Sequence, residues 1–280
     1  MVRLFAFLIG AFFSGMLLLS FGGTVYSAIT EPAAATAESI YHLHPKEVSF
    51  SFDGPMGKYD KRQLQRGLKV YSEVCSACHS MKLVAFRDFA ALGYNEDQVK
   101  AIAKGWKTET PSINADTGEP STRPSLPADH IPSPFANETA ARAANNNALP
   151  PDFSLIAKAR HDGPAYIYSL ITGYRDQPAD LLKKFPDAKT PTGLHYNPYF
   201  PNLNLAMTPP LTGDGQVTYD DGTKATKDQN AKDVAAFLMW AAEPKLENRH
   251  MAGWAALLFL CVFTYLAFLS YRSIWAGKKH

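Results

Sequence analysis

Apolar and polar positions divide the chain into two continuous apolar ends and a periodic middle. From Leu4 to Gly23 only Ser14 and Ser20 interrupt the apolar run, which begins directly after Arg3. From Met251 to Tyr271 no residue is charged. Each run has about 20 residues, long enough as a helix to cross the ~30 Å hydrocarbon core of a bilayer. Between them, Leu64, Leu68, Tyr71 and Cys75 recur at helical spacing behind Asp60, with Gln63 at the third helical position. This predicts a capped helix over 60–75. Gly67 in its middle costs about 1 kcal/mol against Ala, which points to close packing there. Asn95 opens a short helix with Val99, Ile102 and Ala103 on one face. Pro164 starts another, carrying Tyr166, Ile167, Leu170 and Ile171, and Gly173 stops it. Residues 232–242 place Val234, Phe237, Leu238 and Ala241 on one face, an amphipathic helix that Pro244 ends or kinks.

The remaining stretches lack a helical period. Residues 28–59 read as an extended lead-in. Residues 108–135 hold six prolines (Pro111, Pro120, Pro124, Pro127, Pro132, Pro134), which forbid regular helix and predict an irregular loop. Val217 to Thr223, around Asp221-Gly222, predicts a small hairpin. No internal repeat is present, so solenoids are excluded.

The two ends set the topology. The N-terminal run reads as a secretory signal peptide with Val25-Tyr26-Ser27 as its cleavage site, or as an N-terminal membrane anchor; either exports the chain from residue 28 onward. The C-terminal run is a transmembrane helix with Trp254, Tyr271 and Trp275 as interfacial anchors. Arg272, Lys278 and Lys279 come after it, and the positive-inside rule places that tail in the cytoplasm. The expected organisation is therefore 1–27 leader or anchor, 28–248 periplasmic domain and 249–280 anchor with a short cytoplasmic tail, in the cell inner membrane. The formal charge of the 280-residue chain is +2. Five of its positive charges (Arg3, Arg249, Arg272, Lys278, Lys279) lie in the ends, which contain no Asp or Glu. Setting them aside leaves −3 for residues 28–248. A mildly acidic domain argues against nucleic acid and admits a basic protein partner.

Cys75-Ser76-Ala77-Cys78-His79 carries the chemistry. It reads C-x-x-C-H, the pattern of c-type haem attachment. Each thiol adds across one haem vinyl group, the two-residue gap suits the distance between the vinyls, and the adjacent histidine becomes the proximal iron ligand. A zinc site would need two further ligands, and the third cysteine, Cys261, lies in the apolar run as a small apolar residue. A thioredoxin-like pair does not require the histidine.

A low-spin electron-transfer haem takes a second axial ligand, usually Met or His. Met1 and Met16 fall in the leader, Met251 opens the membrane run, Met239 packs on a helix, and Met81 is too close to His79 to reach the opposite face. Met207, in Ala206-Met207-Thr208-Pro209-Pro210, sits on a backbone fixed by consecutive prolines and is the preferred ligand. Met56 stays open, as do His161 and His195 in a bis-histidine site.

Beyond this motif, several segments resemble the cytochrome c1 family: Ala144 through Leu149-Pro150-Pro151-Asp152-Phe153 to Ser154, Ala159-Arg160-His161, Tyr166 to Tyr174, Tyr196 to Pro201, Ala206 to Leu211, and Asp233 to Pro244 leading into an anchor. The resemblance covers roughly residues 45–275, with Asn147 where a glycine is expected. It implies a mainly α fold, a c-type cytochrome core with long irregular loops and one C-terminal transmembrane helix. It also implies one covalently bound haem c, with Asn145, Pro150, Pro151, Arg160, Tyr166 and Leu170 lining its pocket and Arg160 holding a propionate. The implied function is one-electron transfer in a quinol:cytochrome c oxidoreductase, the cytochrome bc1 complex. The implied partners are cytochrome b, the Rieske iron–sulfur protein as donor and a soluble cytochrome c as acceptor. No residue would serve as catalytic acid, base or nucleophile. A free-standing membrane-anchored cytochrome and a haem enzyme with an open sixth position are the other readings.

Overall fold

The computed structural model describes residues 2–31 and 34–278; Met1 of the leader, Pro32, Ala33, His280 and the tail charge Lys279 lie outside the described residues. The chain runs through α1 (Val2–Thr30), α2 (Ala37–Tyr41), α3 (Lys61–Glu73), α4 (Glu96–Lys104), the antiparallel pair β1 (Thr110–Ile113) and β2 (Pro120–Arg123), and α5 (Glu138–Ala144). It continues through α6 (Ile156–Ala159), α7 (Gly163–Thr172), α8 (Ala179–Lys184), the short pair β3 (His195–Tyr196) and β4 (Asn204–Leu205), α9 (Lys227–Ala242) and α10 (Leu246–Trp275). The fold is mainly helical. Helix α1, and α10 from Met251 onward, are apolar on every side, and among the described residues of the two only Leu246 is buried; α10 fits a membrane anchor.

The core is built on α3 crossing α9. Asp60 caps α3 by accepting from the backbone N–H of Arg62 and Gln63. The face carrying Leu64, Gly67, Leu68 and Tyr71 is buried. Gly67 makes the crossing close: a Cβ there would lie 2.1 Å from the Asp233 carbonyl oxygen and 2.5 Å from Phe237 Cβ. The approach is locked by Arg66, whose guanidinium bonds the fully buried Asp233 carboxylate at 2.8 Å and Asp221 at 2.7 Å. Tyr71, Phe237 and Trp240 stack on through the core, with successive ring centroids 5.7 Å apart. Gly67→Ala is therefore expected to lose roughly 3 kcal/mol, the upper end of overpacking costs, despite alanine's better helix propensity. Urea denaturation followed by circular dichroism checks this; a midpoint at or above that of the parent would contradict it.

Several sequence expectations need correction. The predicted 60–75 helix stops at Glu73, and Cys75–Ala77 forms a separate 3₁₀ turn. Residues 28–59 are not wholly extended, because α1 continues to Thr30 and α2 comes next. The signal for α2 was Thr36-x-x-Ser39, a reciprocal capping box on a helix too short to show a period. Its Ala37 packs with Leu181, Tyr196 and Leu203 in a second, smaller cluster. The proline-rich stretch contains the β1–β2 ladder, in which Pro111 faces Thr122 and Pro120 faces Ile113. Asn114 N–H donates to the Glu119 carbonyl at 2.9 Å, so the neighbouring proline pairs belong to the class that exchanges no hydrogen bonds and a missing N–H costs nothing. Val217–Thr223 is no hairpin: Val217 and Tyr219 turn into the core, and Asp221 accepts from Arg66 and Thr223 N–H. Helix α9 begins at Lys227, capped by Thr226, and is buried on most sides rather than along one stripe.

Candidate functional site

The site grows from the end of α3. The N–H groups of Cys78 and His79 both donate to the Cys75 carbonyl, at 3.1 and 2.9 Å, which folds the five-residue motif into a tight turn. Tyr71, one turn earlier on α3, donates its hydroxyl to the His79 carbonyl at 3.0 Å. Both cysteines are free and half-buried, with Cys75 packed against the main core cluster. Burial pushes its thiol up to about 12.

The His79 ring is buried and held on two sides. Its Nδ1 lies 2.9 Å from the Pro151 carbonyl, which fixes the tautomer with the proton on Nδ1 and leaves Nε2 as the unprotonated nitrogen. Phe153 stacks on the imidazole with centroids 3.8 Å apart and planes 14° off parallel. Burial lowers the His79 pKa against the opposing pull of the Pro151 carbonyl, so the ring is kept neutral, the form in which imidazole binds a metal.

What positions Pro151 is a clamp between residues 80–83 and 151–154. Asp152 accepts from Ser80 Oγ (2.8 Å), Lys82 N–H (3.0 Å) and Ser154 N–H (2.9 Å). Phe153 N–H donates to the Ser80 carbonyl at 2.8 Å and Leu83 N–H to Ser154 Oγ at 3.0 Å. Burial would raise the Asp152 pKa, but hydrogen bonds from Ser154, Lys82 and Ser80 together hold it below the usual carboxylate range. The loop ahead of the clamp turns through Asn146 and Asn147 at φ 50° and 61°. Asn147 thus takes the left-handed geometry a glycine would, one that asparagine tolerates.

Met207 is half-buried against the same main cluster as Cys75 and Tyr166. Tyr174 donates its hydroxyl to the Met207 carbonyl at 2.9 Å, pinning the loop. Among the rival ligands, His161 is 96% exposed and bonded to Asp162, and Met56 is 76% exposed. His195 is half-buried on β3, edge-on to Tyr174 with centroids 6.4 Å apart. Met81 is fully buried in the core.

The structure therefore brings Cys75, Cys78, His79 and Pro151 directly together and seats Met207 and Tyr166 on the same core. The other predicted lining residues bond elsewhere. Asn145 Nδ2 donates to the Ala141 carbonyl, the Leu170 carbonyl accepts from Asn197, and Arg160 is exposed. Burial raises the Tyr166 pKa against the pull of the Arg160 guanidinium, which places those two side chains together. Pro150 is half-buried. Phe153, Tyr71, Asp152 and Tyr174 were given no site role from sequence, although Tyr71 stands on the predicted helix, Tyr174 ends the Tyr166–Tyr174 segment, and Phe153 and Asp152 stand in the Pro150–Ser154 run. Among the described residues no cluster of His, Cys, Asp or Glu is arranged to hold a bare ion. The donor set instead suits a haem: two thiols for thioether bonds, a neutral imidazole with its Nε2 available, and a thioether sulfur on a pinned loop.

Comparison with known proteins agrees with this chemistry. Residues 50–278 match the Cytochrome C1 family. Cytochrome c1 of Rhodospirillum rubrum is 48% identical over 257 residues, covering 89% of this chain and 93% of that one. Cytochrome b/c1 of Bradyrhizobium diazoefficiens is 46% identical over 249 residues, 84% of this chain but 36% of that longer protein. The mitochondrial heme protein cytochrome c1 1 of Arabidopsis thaliana is 43% identical over 259 residues, 92% of this chain and 81% of its own.

Proposed function

Because the chain belongs to the cytochrome c1 family, a haem-bearing electron-transfer subunit of the cytochrome bc1 complex, we propose that it relays single electrons within a quinol:cytochrome c oxidoreductase. The donor in this reading is the Rieske iron–sulfur subunit and the acceptor a soluble c-type cytochrome. The carrying observation is the His79 ring, buried, flat against Phe153 and bonded through Nδ1 to the Pro151 carbonyl. Bound in this site, haem c supplies a one-electron redox couple.

Cys75 and Cys78 would hold the cofactor covalently, while His79 Nε2 and the Met207 sulfur would be the axial ligands. Pro150, Pro151, Asn145, Tyr166 and Leu170 would line the pocket, and Arg160, exposed beside Tyr166, would hold a propionate. Residues 28–248 would lie in the periplasm, with α10 as the anchor in the inner membrane and residues 1–27 as a leader or second anchor. Membership alongside cytochrome b draws support from the relative named cytochrome b/c1, of which this chain spans only a part.

The test has two arms. Gentle detergent purification should recover this chain with a b-type cytochrome and an iron–sulfur protein; recovery alone would favour a free-standing cytochrome. The acceptor contact of a relay must be short-lived, hence weak and electrostatically steered, and residues 28–248 carry −3. Screening shortens such steering to about 10 Å at 0.1 M salt. Stopped-flow reduction of a basic cytochrome c should therefore slow steeply with salt, while quinol-driven reduction of this chain's haem changes little. A salt-independent second-order rate would refute the steered relay.

A further inference from the structure

Residues 50–58 form a closed turn where the haem domain meets α10. Asp53 N–H donates to the Phe50 carbonyl (3.1 Å), Gly57 N–H to Gly54 (3.2 Å) and Lys58 N–H to Ser51 (3.0 Å). Gly54 has φ +77°, and a Cβ on Gly57 would lie 2.2 Å from the Phe52 carbonyl, so both glycines are needed to close it. Phe50 and Phe52 are buried, stacked with centroids 5.0 Å apart, and root the turn in the core. Its tip, Gly54-Pro55-Met56-Gly57, carries no charge, and Met56 is 76% exposed.

This turn is bonded to the membrane helix. Trp254 donates its indole N–H to the Pro55 carbonyl at 3.2 Å. Tyr59 N–H donates to Glu247 at 3.0 Å, and the Tyr59 hydroxyl to the Glu243 carbonyl at 3.0 Å. Trp254 stands three residues inside the apolar run that begins at Met251. At a rise of ~1.5 Å per residue it lies about 4.5 Å beyond the start of that run. A carbonyl within hydrogen-bond distance of its indole shares that depth, the level at which Trp side chains settle in a bilayer. Pairing the two polar groups also suits a zone where water is scarce. Beside the tip, Lys58 is an exposed cation, complementary to lipid phosphates, while Arg249 on α10 is paired with Glu243 and the Asp53 carboxylate is turned back to accept from Phe50 N–H.

We infer that the 54–57 tip is a second membrane contact, with Met56 inserted into the lipid interface next to the anchor. The domain is then held at a fixed attitude to the bilayer by two points rather than hung from one helix end. This rests on α10 being a membrane anchor, and the test separates the two.

Full-length haem-loaded protein in phosphatidylcholine–phosphatidylglycerol vesicles would carry a single nitroxide at Met56→Cys, in a Cys261→Ser background. Reference labels sit at Leu258→Cys, about two turns inside the apolar run, and at Thr117→Cys, on the exposed β1–β2 turn. Power-saturation EPR compares collisions with oxygen, which concentrates in lipid, and with an aqueous nickel chelate. The expected result is an oxygen-to-nickel ratio at position 56 well above that at 117 and below that at 258, as suits an interfacial depth. A ratio at 56 matching 117, or a label reached by neither reagent, would overturn the inference while leaving the anchor intact. An aqueous ratio at 258 would overturn the anchor itself.

Discussion

A chain with alanine at both Cys75 and Cys78 is expected to yield no haem that survives acidic organic extraction, and little folded protein. The reason lies in how the motif is embedded. Cys75 packs against the main core, and the His79 carbonyl is tied to Tyr71, so the sulfurs and the ring belong to the same packed unit as α3 and α9. A covalent tether makes ligation by His79 an intramolecular event, which raises the effective concentration of the cofactor far above its free level. Without either tether, binding must compete with loss to solvent from a domain whose proposed second ligand, Met207, stands on a distant loop. Burial also holds the Cys75 thiol at about 12, so the folded chain does not present a reactive thiolate there. Each single variant should keep one thioether and remain stainable for haem on a denaturing gel. The double variant should show no stain. A stained band, or haem retained after acid–acetone treatment of that variant, would remove Cys75 and Cys78 from the assignment.

The parts of the site that were legible in the sequence are those fixed by local chemistry. The C-x-x-C-H run names its candidate ligands directly, Asp60 and Gln63 announce the helix that leads to them, and Gly67 points to close packing, which the approach of Asp233 and Phe237 explains. What was not legible depends on partners far away in the chain. The orientation of His79 is set by Pro151, 72 residues later, through a clamp whose key carboxylate, Asp152, looks like an ordinary loop aspartate until Ser80 and Lys82 are seen donating to it. Val217–Thr223 has hairpin-like residues, but Val217 and Tyr219 are buried in the core and the Asp221 carboxylate is drawn to Arg66 instead of closing a turn between strands. The β1–β2 ladder was hidden by its prolines, since their compatibility with pairing depends on register, which composition does not reveal. The helix over 232–242 reads as one-faced, yet Asp233 on its polar side is fully buried with Arg66 and Gln229 as its partners. Apart from the β1–β2 ladder, the local pattern was overruled by long-range contacts, the kind of information a periodicity does not carry.

Met207→Leu tests the second half of the ligand assignment. Leucine approximates the volume of methionine, a swap that usually costs less than about 1.5 kcal/mol even in a packed site. The loop should keep its course, because its supports do not involve the thioether. Tyr174 bonds the Met207 backbone carbonyl, Leu211 is buried just beyond Pro209-Pro210, and Gln216 bridges the Pro210 carbonyl and Thr212 N–H. The variant therefore removes one sulfur and little else. Haem should remain attached through Cys75 and Cys78 while its potential falls by on the order of 100 mV or more, within the roughly 0.8 V that axial ligation commands. The reduced protein should bind carbon monoxide, and the absorption band characteristic of methionine–iron ligation should disappear. His195 is the competitor the structure retains, since it lies edge-on to the same Tyr174 that holds the Met207 loop. His195→Ala made in parallel decides between them. If Met207→Leu leaves potential and carbon monoxide binding unchanged and His195→Ala alters both, the site is bis-histidine. If only Met207→Leu alters them, the thioether is the ligand and Tyr174 is the residue that holds its loop in place.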